Sequence, residues 1–297
     1  VTETFLQSEK PMPRVVSVTP VEELVEFIVE RHNVYRRKTD GEPKPWTQWP
    51  ILQEWRFCNV YRELDTETKW IAENWRRPHR ADPDLWFAMV VARLVNWHDS
   101  LEELGYPVPW DAERFVGVLD DRRRRGEKVF TGAYMIHADR HFSGTKAAYL
   151  ASEVLTPMWR DREKLRRIAH GTLAAACNVL TQYRDMGGFM AGQVIADLKY
   201  VEPLRSASDW HSWAISGPGS RRGLNRVLNR DKDTPWNESE WLRSLRELHA
   251  EIEPLIRSAK MRSLHAQDLQ SCLCEVDKFE RLRLGEGQPR SKYPGRS

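Results

Sequence analysis

Apolar residues recur at helical spacing along most of the chain, and the breaks between those runs set its organisation. Leu24, Phe27 and Ile28 share one helical face. They follow Thr19, Pro20, Glu22 and Glu23, which supply an N-cap, a proline at the first helical position and an acidic first turn. A helix over 21–37 is predicted, stopped by the Gly- and Pro-rich segment 40–45. A second helix is expected over 51–75, ended by Pro78. The run 85–96 is apolar nearly all round and predicts a buried helix. Helical spacing continues over 110–126, 147–159, 161–183, 189–199, 238–258 and 264–284. Segment 129–136 reads as a short strand or an extended loop, and Gly217-Pro218-Gly219 marks a loop. No repeat or low-complexity linker interrupts this order. The pattern predicts an all-α chain: an N-terminal arm over 1–18, one helical domain over 19–284, and a basic, irregular tail over 285–297.

Composition narrows the class. The chain has 297 residues, 40% of them apolar and 13 of them Trp, enough for a sizeable core. Mean hydropathy is −0.65, and no apolar run approaches the ~20 residues of a membrane span. The first residues lack the apolar stretch of a secretory signal, so a cytoplasmic setting is expected. The net charge of +3 is a weak argument for nucleic acid, but its distribution is uneven. Arginines cluster at 122–125, at 221–222 and along 281–296, which suggests local anion-binding surfaces or solvated helix ends. Cys58, Cys177, Cys272 and Cys274 have no zinc-ligand spacing and read as reduced thiols. His137 and His141 stand four apart without the motif of a metalloprotease helix, and read as a surface or core pair.

Four segments carry candidate chemistry. In 56–65, Phe57, Val60 and Leu64 form a core stripe if the segment is helical, and Asn59, Arg62 and Thr66 share another face. Amide, guanidinium and carboxylate together can read a base edge and hold a phosphate; the plainer reading is a surface pair of Arg62 and Asp65. In 183–192, Gly187 and Gly188 join two apolar helices, as in a helix-hairpin-helix element whose second helix offers backbone N–H groups to a DNA phosphate. An ordinary αα-hairpin is the plainer alternative. Downstream, Asp197, Lys199 and Asp209 are polar positions that suit either catalysis or helix capping. Segment 216–225 sets glycines before Arg221 and Arg222 at a helix start, a candidate pyrophosphate cradle. It is not a Walker A loop, and no G-x-x-x-x-G-K-[ST] occurs in the chain. In 265–278, Asp268, Glu275 and Lys278 share a polar side, suiting acid–base work, a divalent cation or a simple Glu275–Lys278 salt bridge.

These segments, with Pro45-Trp46-Thr47 and Phe130-Thr131-Gly132-Ala133-Tyr134, resemble a phage and bacterial family linked to thymine hypermodification. It comprises the helical domain of 5-hydroxymethyl-deoxyuridine DNA kinases and the α-glutamyl/putrescinyl-thymine pyrophosphorylases, read as amino acid:DNA transferases. The resemblance runs over about 22–294. It implies a helix-hairpin-helix DNA-glycosylase-like fold, with the hairpin near 172–199. It also implies an activity: replacement of pyrophosphate, on a 5-pyrophosphorylated hydroxymethyluracil in double-stranded DNA, by an amino acid or polyamine. The alternatives are a 5-hydroxymethyluracil DNA kinase or its helical DNA-binding subunit, and a glycosylase acting on a modified base. A P-loop DNA kinase would be the pathway partner, and a phage-infected bacterial cell the setting. On this reading Arg56, Arg62, Arg221 and Arg222 assist departure of pyrophosphate, with Mg²⁺ as a candidate aid. Asp65, Asp197 and Asp268 are the candidate bases, and Asn59 and Lys278 bind substrate. Gly187, Gly188 and Lys199 bind DNA.

Overall fold

The computed structural model describes residues 19–132, 141–166 and 171–287, and among them every regular element is helical. Helix α1 (Pro20–Thr39) opens with the expected capping box, in which the Glu22 amide donates to the Thr19 hydroxyl and the Thr19 amide to the Glu22 carboxylate. Next come α2 (Pro50–Glu54), an extended strap over 55–61, a 3₁₀ turn (Arg62–Leu64) and α3 (Thr66–Ile71), which runs on as a π-helical stretch (Ala72–Arg76). Then α4 (Leu85–Val95) ends at Asn96 in the left-handed conformation, followed by α5 (His98–Leu104) and α6 (Ala112–Arg124). Helices α7 (Lys146–Tyr149) and α8 (Thr156–Arg160) flank a π-helical stretch (Leu150–Leu155). Helices α9 (Arg162–Arg166), α10 (Leu173–Leu180), α11 (Gly188–Leu198), α12 (Pro218–Val227), α13 (Glu238–Ser258) and α14 (Ala266–Arg283) complete the order.

Two hydrophobic cores organise these helices. One spans 71–213 and centres on α4, whose eleven residues are all buried, with α11 packed against it and α10 against α11. The other joins 24–61 to 214–276, so α1 and the strap pack with α12, α13 and α14 from the far end of the sequence. Its tightest contact is between α12 and α14: a Cβ at Gly223 would collide with the Leu273 backbone carbonyl, so only glycine lets these helices approach this closely.

The structure departs from the sequence expectation at four places. The single helix expected over 51–75 is broken by the strap, so Asn59, Arg62 and Thr66 do not share a helical face. Polar side chains take the backbone away from the helix there. The Asn59 amide N–H donates to Asp65 Oδ1 (2.8 Å), and Asn59 Nδ2 donates to the Leu64 carbonyl (2.8 Å). Phe57, Val60 and Tyr61 are still buried, but from an extended segment. The helix expected over 161–183 is interrupted: Gly171 has φ +111°, and Thr172 caps a new helix. Gly217-Pro218-Gly219, expected as a loop, instead opens α12, with Gly217 as its N-cap, whereas segment 129–132 forms no strand, in line with the loop alternative; Ala133, Tyr134 and His137 lie outside the described residues. The turn between the hairpin helices occupies 181–187 rather than Gly187 and Gly188 alone, and Gly188 is already in α11.

Candidate functional site

Where the two cores meet, polar side chains replace apolar ones. From α11, in the first core, come Gln193 and the C-capping Lys199, both buried. From the N-terminus of α14, in the second core, come His265 and Asp268. Arg62, from the turn after the strap, joins the two sides. Its amide donates to Asp268 Oδ1 (3.1 Å), and its guanidinium donates to Gln193 Oε1 and to the Gln193 carbonyl (3.4 Å). The Lys199 amine lies 3.1 Å from His265 Nδ1, and the same nitrogen lies 3.3 Å from Asp268 Oδ2. An amine, an imidazole and a carboxylate therefore stand in sequence with a guanidinium beside them.

Burial sets the proton affinities of this group. It lowers Lys199 to about 8, against the pull of Asp268 and Glu63. It also lowers His265, to about 3, helped by the Lys199 charge, so the imidazole is neutral at physiological pH. Asp268 is raised by burial, opposed by the Arg62 amide and Lys199. A neutral imidazole nitrogen serves one partner at a time: it accepts from the lysine or donates to the carboxylate. The arrangement suits proton transfer next to two cations.

Aromatic rings extend the seam. The Trp210 indole N–H donates to the Lys199 carbonyl (2.6 Å), and the Lys199 amine lies 4.3 Å from the Trp210 ring centre. Trp210 meets Tyr200, His211 and His265 edge-on, at ring-centre distances of 5.6, 4.5 and 4.4 Å.

Of the residues singled out in the sequence, Arg62, Lys199 and Asp268 are brought together here. Asn59, Asp65, Arg56 and Lys278 hold the neighbouring strap. Arg31 Nη2 donates to Asn59 Oδ1 (2.6 Å), and Lys278 donates to the Arg56 carbonyl and to Glu275 Oε2 (3.3 Å). Glu275 also accepts from the Cys58 amide (3.0 Å), so the expected Glu275–Lys278 pair serves as a clasp between α14 and the strap. Burial raises Asp65 to about 6, against the Asn59 amide and Arg62.

Asp197 has no exposed surface. Its carboxylate is held by Arg93 Nε (2.5 Å) and Nη2 (2.6 Å), with Arg76 at 3.8 Å, and the Arg93 charge overcomes burial to lower its pKa. That environment is a structural ion pair rather than an open base. Asp209 accepts from the Leu173 and Ala174 amides (2.7 and 3.0 Å) and so caps α10 from across the fold.

Arg221 pairs with Glu238 (3.2 Å), and Arg222 pairs with the buried Asp277 (2.8 Å), which also binds Arg226 and Arg281. Both line a surface cavity of about 430 Å³ at the start of α12, with Lys232 on its rim. The glycines of this segment are explained by packing: Gly219 faces Cys274, and Gly223 faces Leu273. In the hairpin, a Cβ on Gly188 would meet the Ile215 side chain at 2.6 Å, whereas Gly187 has open space before it. Only Gly187 is therefore available for a close approach from outside. The Arg122–Arg125 cluster is largely paired with Glu103, Glu127 and Asp121. Among the described residues no group of three or more His, Cys, Asp or Glu side chains could hold a metal ion, and no helix is long and apolar enough to cross a membrane.

Sequence reasoning missed His265, Gln193 and Trp210. His265 had a signal: it stands at the N-cap three residues before Asp268, whose carboxylate accepts its amide (3.2 Å). Gln193 had none, since a lone amide in an apolar helix has no distinguishing spacing.

Comparison with known proteins gives this fold a context. The chain is 28% identical over 223 residues to the 5-hmdU DNA kinase of Bacillus phage SP10, an alignment covering 68% of the chain and 35% of the phage protein. The chain thus corresponds to about a third of that relative's length. No solved structure matches. The family model described as the helical domain of 5-hmdU DNA kinase matches residues 19–288, and the chain belongs to that family.

Proposed function

We propose that this chain handles 5-hydroxymethyluracil in DNA during phage thymine hypermodification, and that the seam between its two cores is where the substituent on the base reacts. The observation that carries this reading is the convergence of Lys199, His265, Asp268 and Arg62. The favoured reaction is displacement of pyrophosphate by an amine. The C–N bond forms at the C5 methylene, the C–O bond to pyrophosphate breaks, and the amine's proton passes to a base. Arg62 and the Lys199 ammonium supply positive charge for the departing pyrophosphate. Asp268 accepts the proton. A helix-hairpin-helix, glycosylase-like use of the fold, with α10 and α11 against the duplex and the base turned out of the stack, would expose the methylene to this group.

The kinship favours a second reading. The SP10 relative is named a kinase, and this chain has no Walker A loop. On that reading it is the domain that binds the DNA and presents the base to a separate nucleotide-binding unit.

Nucleoside mass spectrometry separates the two. Duplex bearing pyrophosphorylated hydroxymethyluracil is incubated with the chain and a mixture of amino acids and polyamines. The first reading expects an amine adduct on the thymine methylene, lost in Arg62→Ala and Asp268→Asn. No adduct, but tight binding to hydroxymethyluracil duplex, supports the second. Free base and abasic sites would instead mark a glycosylase, and absence of both chemistry and binding would sink the proposal.

A further inference from the structure

A second feature lies beside the seam. Tyr200, Arg205, Ser206, Ala207, Trp210 and His211 line a cavity of about 420 Å³ that opens to solvent. Its volume is within the range of small-ligand sites, about 300–1,000 Å³. Three of its lining residues are aromatic, and two of these rings are fixed in place. The Trp210 indole is anchored to the Lys199 carbonyl (2.6 Å), and the Arg76 guanidinium, itself paired with Glu63, lies 4.6 Å from the Tyr200 ring centre. Fixed rings stack on a flat ligand at small entropic cost. Arg205 and His211 are exposed and offer polar and cationic groups toward an approaching strand.

We propose that this cavity receives the everted pyrimidine nucleotide, stacked among Tyr200, Trp210 and His211 with its flanking phosphate on Arg205. The proposal rests on the DNA-modification reading above and names its substrate pocket. Trp210 both lines the cavity and touches Lys199, so an occupant lies one side chain from the Lys199–His265–Asp268 group. The composition of the cavity matches how proteins hold extruded bases: aromatic faces for the ring and a guanidinium for the backbone.

The test uses a duplex with one 5-hydroxymethyluracil beside 2-aminopurine, whose emission rises when its neighbour leaves the stack, and the same duplex with thymine. The full chain is expected to bind the modified duplex more tightly and to raise its emission. Arg205→Ala and His211→Ala alter exposed side chains, and each is expected to lower affinity for the modified duplex about tenfold, within the range of a lost stacking or phosphate contact. Ser206→Trp, which fills the cavity from an exposed position, is expected to abolish both the preference and the emission while leaving the melting temperature unchanged. If the wild type prefers the modified duplex and all three folded variants keep that preference, the pocket is elsewhere. If the wild type binds neither this duplex nor one bearing the pyrophosphorylated base more tightly than the thymine duplex, the DNA-modification reading fails as well.

Discussion

Lys199 is where burial and charge act on one group. A lysine with an ordinary value near 10.4 keeps its charge through the physiological range. Here burial lowers the value to about 8, so the ammonium is lost as pH rises past that point. If the ammonium assists pyrophosphate departure, turnover falls on the alkaline side with a midpoint near 8. Lys199→Arg, which keeps its charge at all accessible pH, is expected to remove that alkaline limb even where its maximal rate is lower. A pH–rate profile decides, and an alkaline limb unchanged in the Arg variant would assign it to another group. Asp197 makes the opposite case. Its carboxylate is buried with Arg93, which is 1% exposed. Asp197→Ala leaves a guanidinium without its counter-ion inside the first core and is expected to cost about 3–5 kcal/mol of stability. Urea denaturation measures it; a loss below ~1 kcal/mol would mean that the Arg93–Asp197 pair contributes little to the fold.

At the scale of elements, glycines that look alike in sequence have different duties. Gly223→Ala pushes a methyl group into the backbone of α14 and should lower stability by about 1–3 kcal/mol, with DNA affinity falling only as the folded fraction falls. Gly187→Val meets open space at the N-terminus of α11. It is expected to leave the melting temperature within a few degrees while weakening duplex binding, if that helix end approaches a phosphate. Thermal melts and binding isotherms on both variants check the contrast; a Gly187 variant with full affinity would remove the hairpin from the DNA interface. Gly188 is a poorer probe, because Ile215 occupies the space beside it. The strap over 55–61 shows why helical spacing misled: Phe57, Val60 and Tyr61 bury their side chains as a helix would, but Asn59, Asp65 and Arg31 hold the backbone extended. Spacing records which residues are apolar, and several backbone shapes satisfy the same record. The helices 85–96, 189–199, 238–258 and 264–284 were legible because long apolar periodicity and clear end signals agreed there.

For the whole molecule, the net charge of +3 leaves little long-range attraction for a polyanion, so any DNA binding must come from local groups. Many surface arginines are already engaged with carboxylates, as at 122–125 and 221–222. A modest electrostatic footprint follows. The logarithm of the duplex affinity is expected to fall with the logarithm of salt at a slope of magnitude about 2–5, corresponding to a few neutralised phosphates. Fluorescence anisotropy over a salt series measures it, and a slope near zero would exclude a phosphate-contacting interface. The second core also constrains folding: it cannot close until α1 and the strap meet α13 and α14, which lie some two hundred residues later.

The amino-acid sequence by itself determined the all-α class, most of the long helices and their caps, and the charged and polar side chains available for chemistry. Those properties follow from local spacing and side-chain chemistry. Only the tertiary structure decided which candidates lie together. It joined Arg62, Lys199 and Asp268 with His265, and withdrew Asp197 into an ion pair. It also turned the glycines of α12 toward a neighbouring helix. Convergence across the seam depends on two cores folding against each other, and no short-range pattern encodes the distance between groups on α11 and α14.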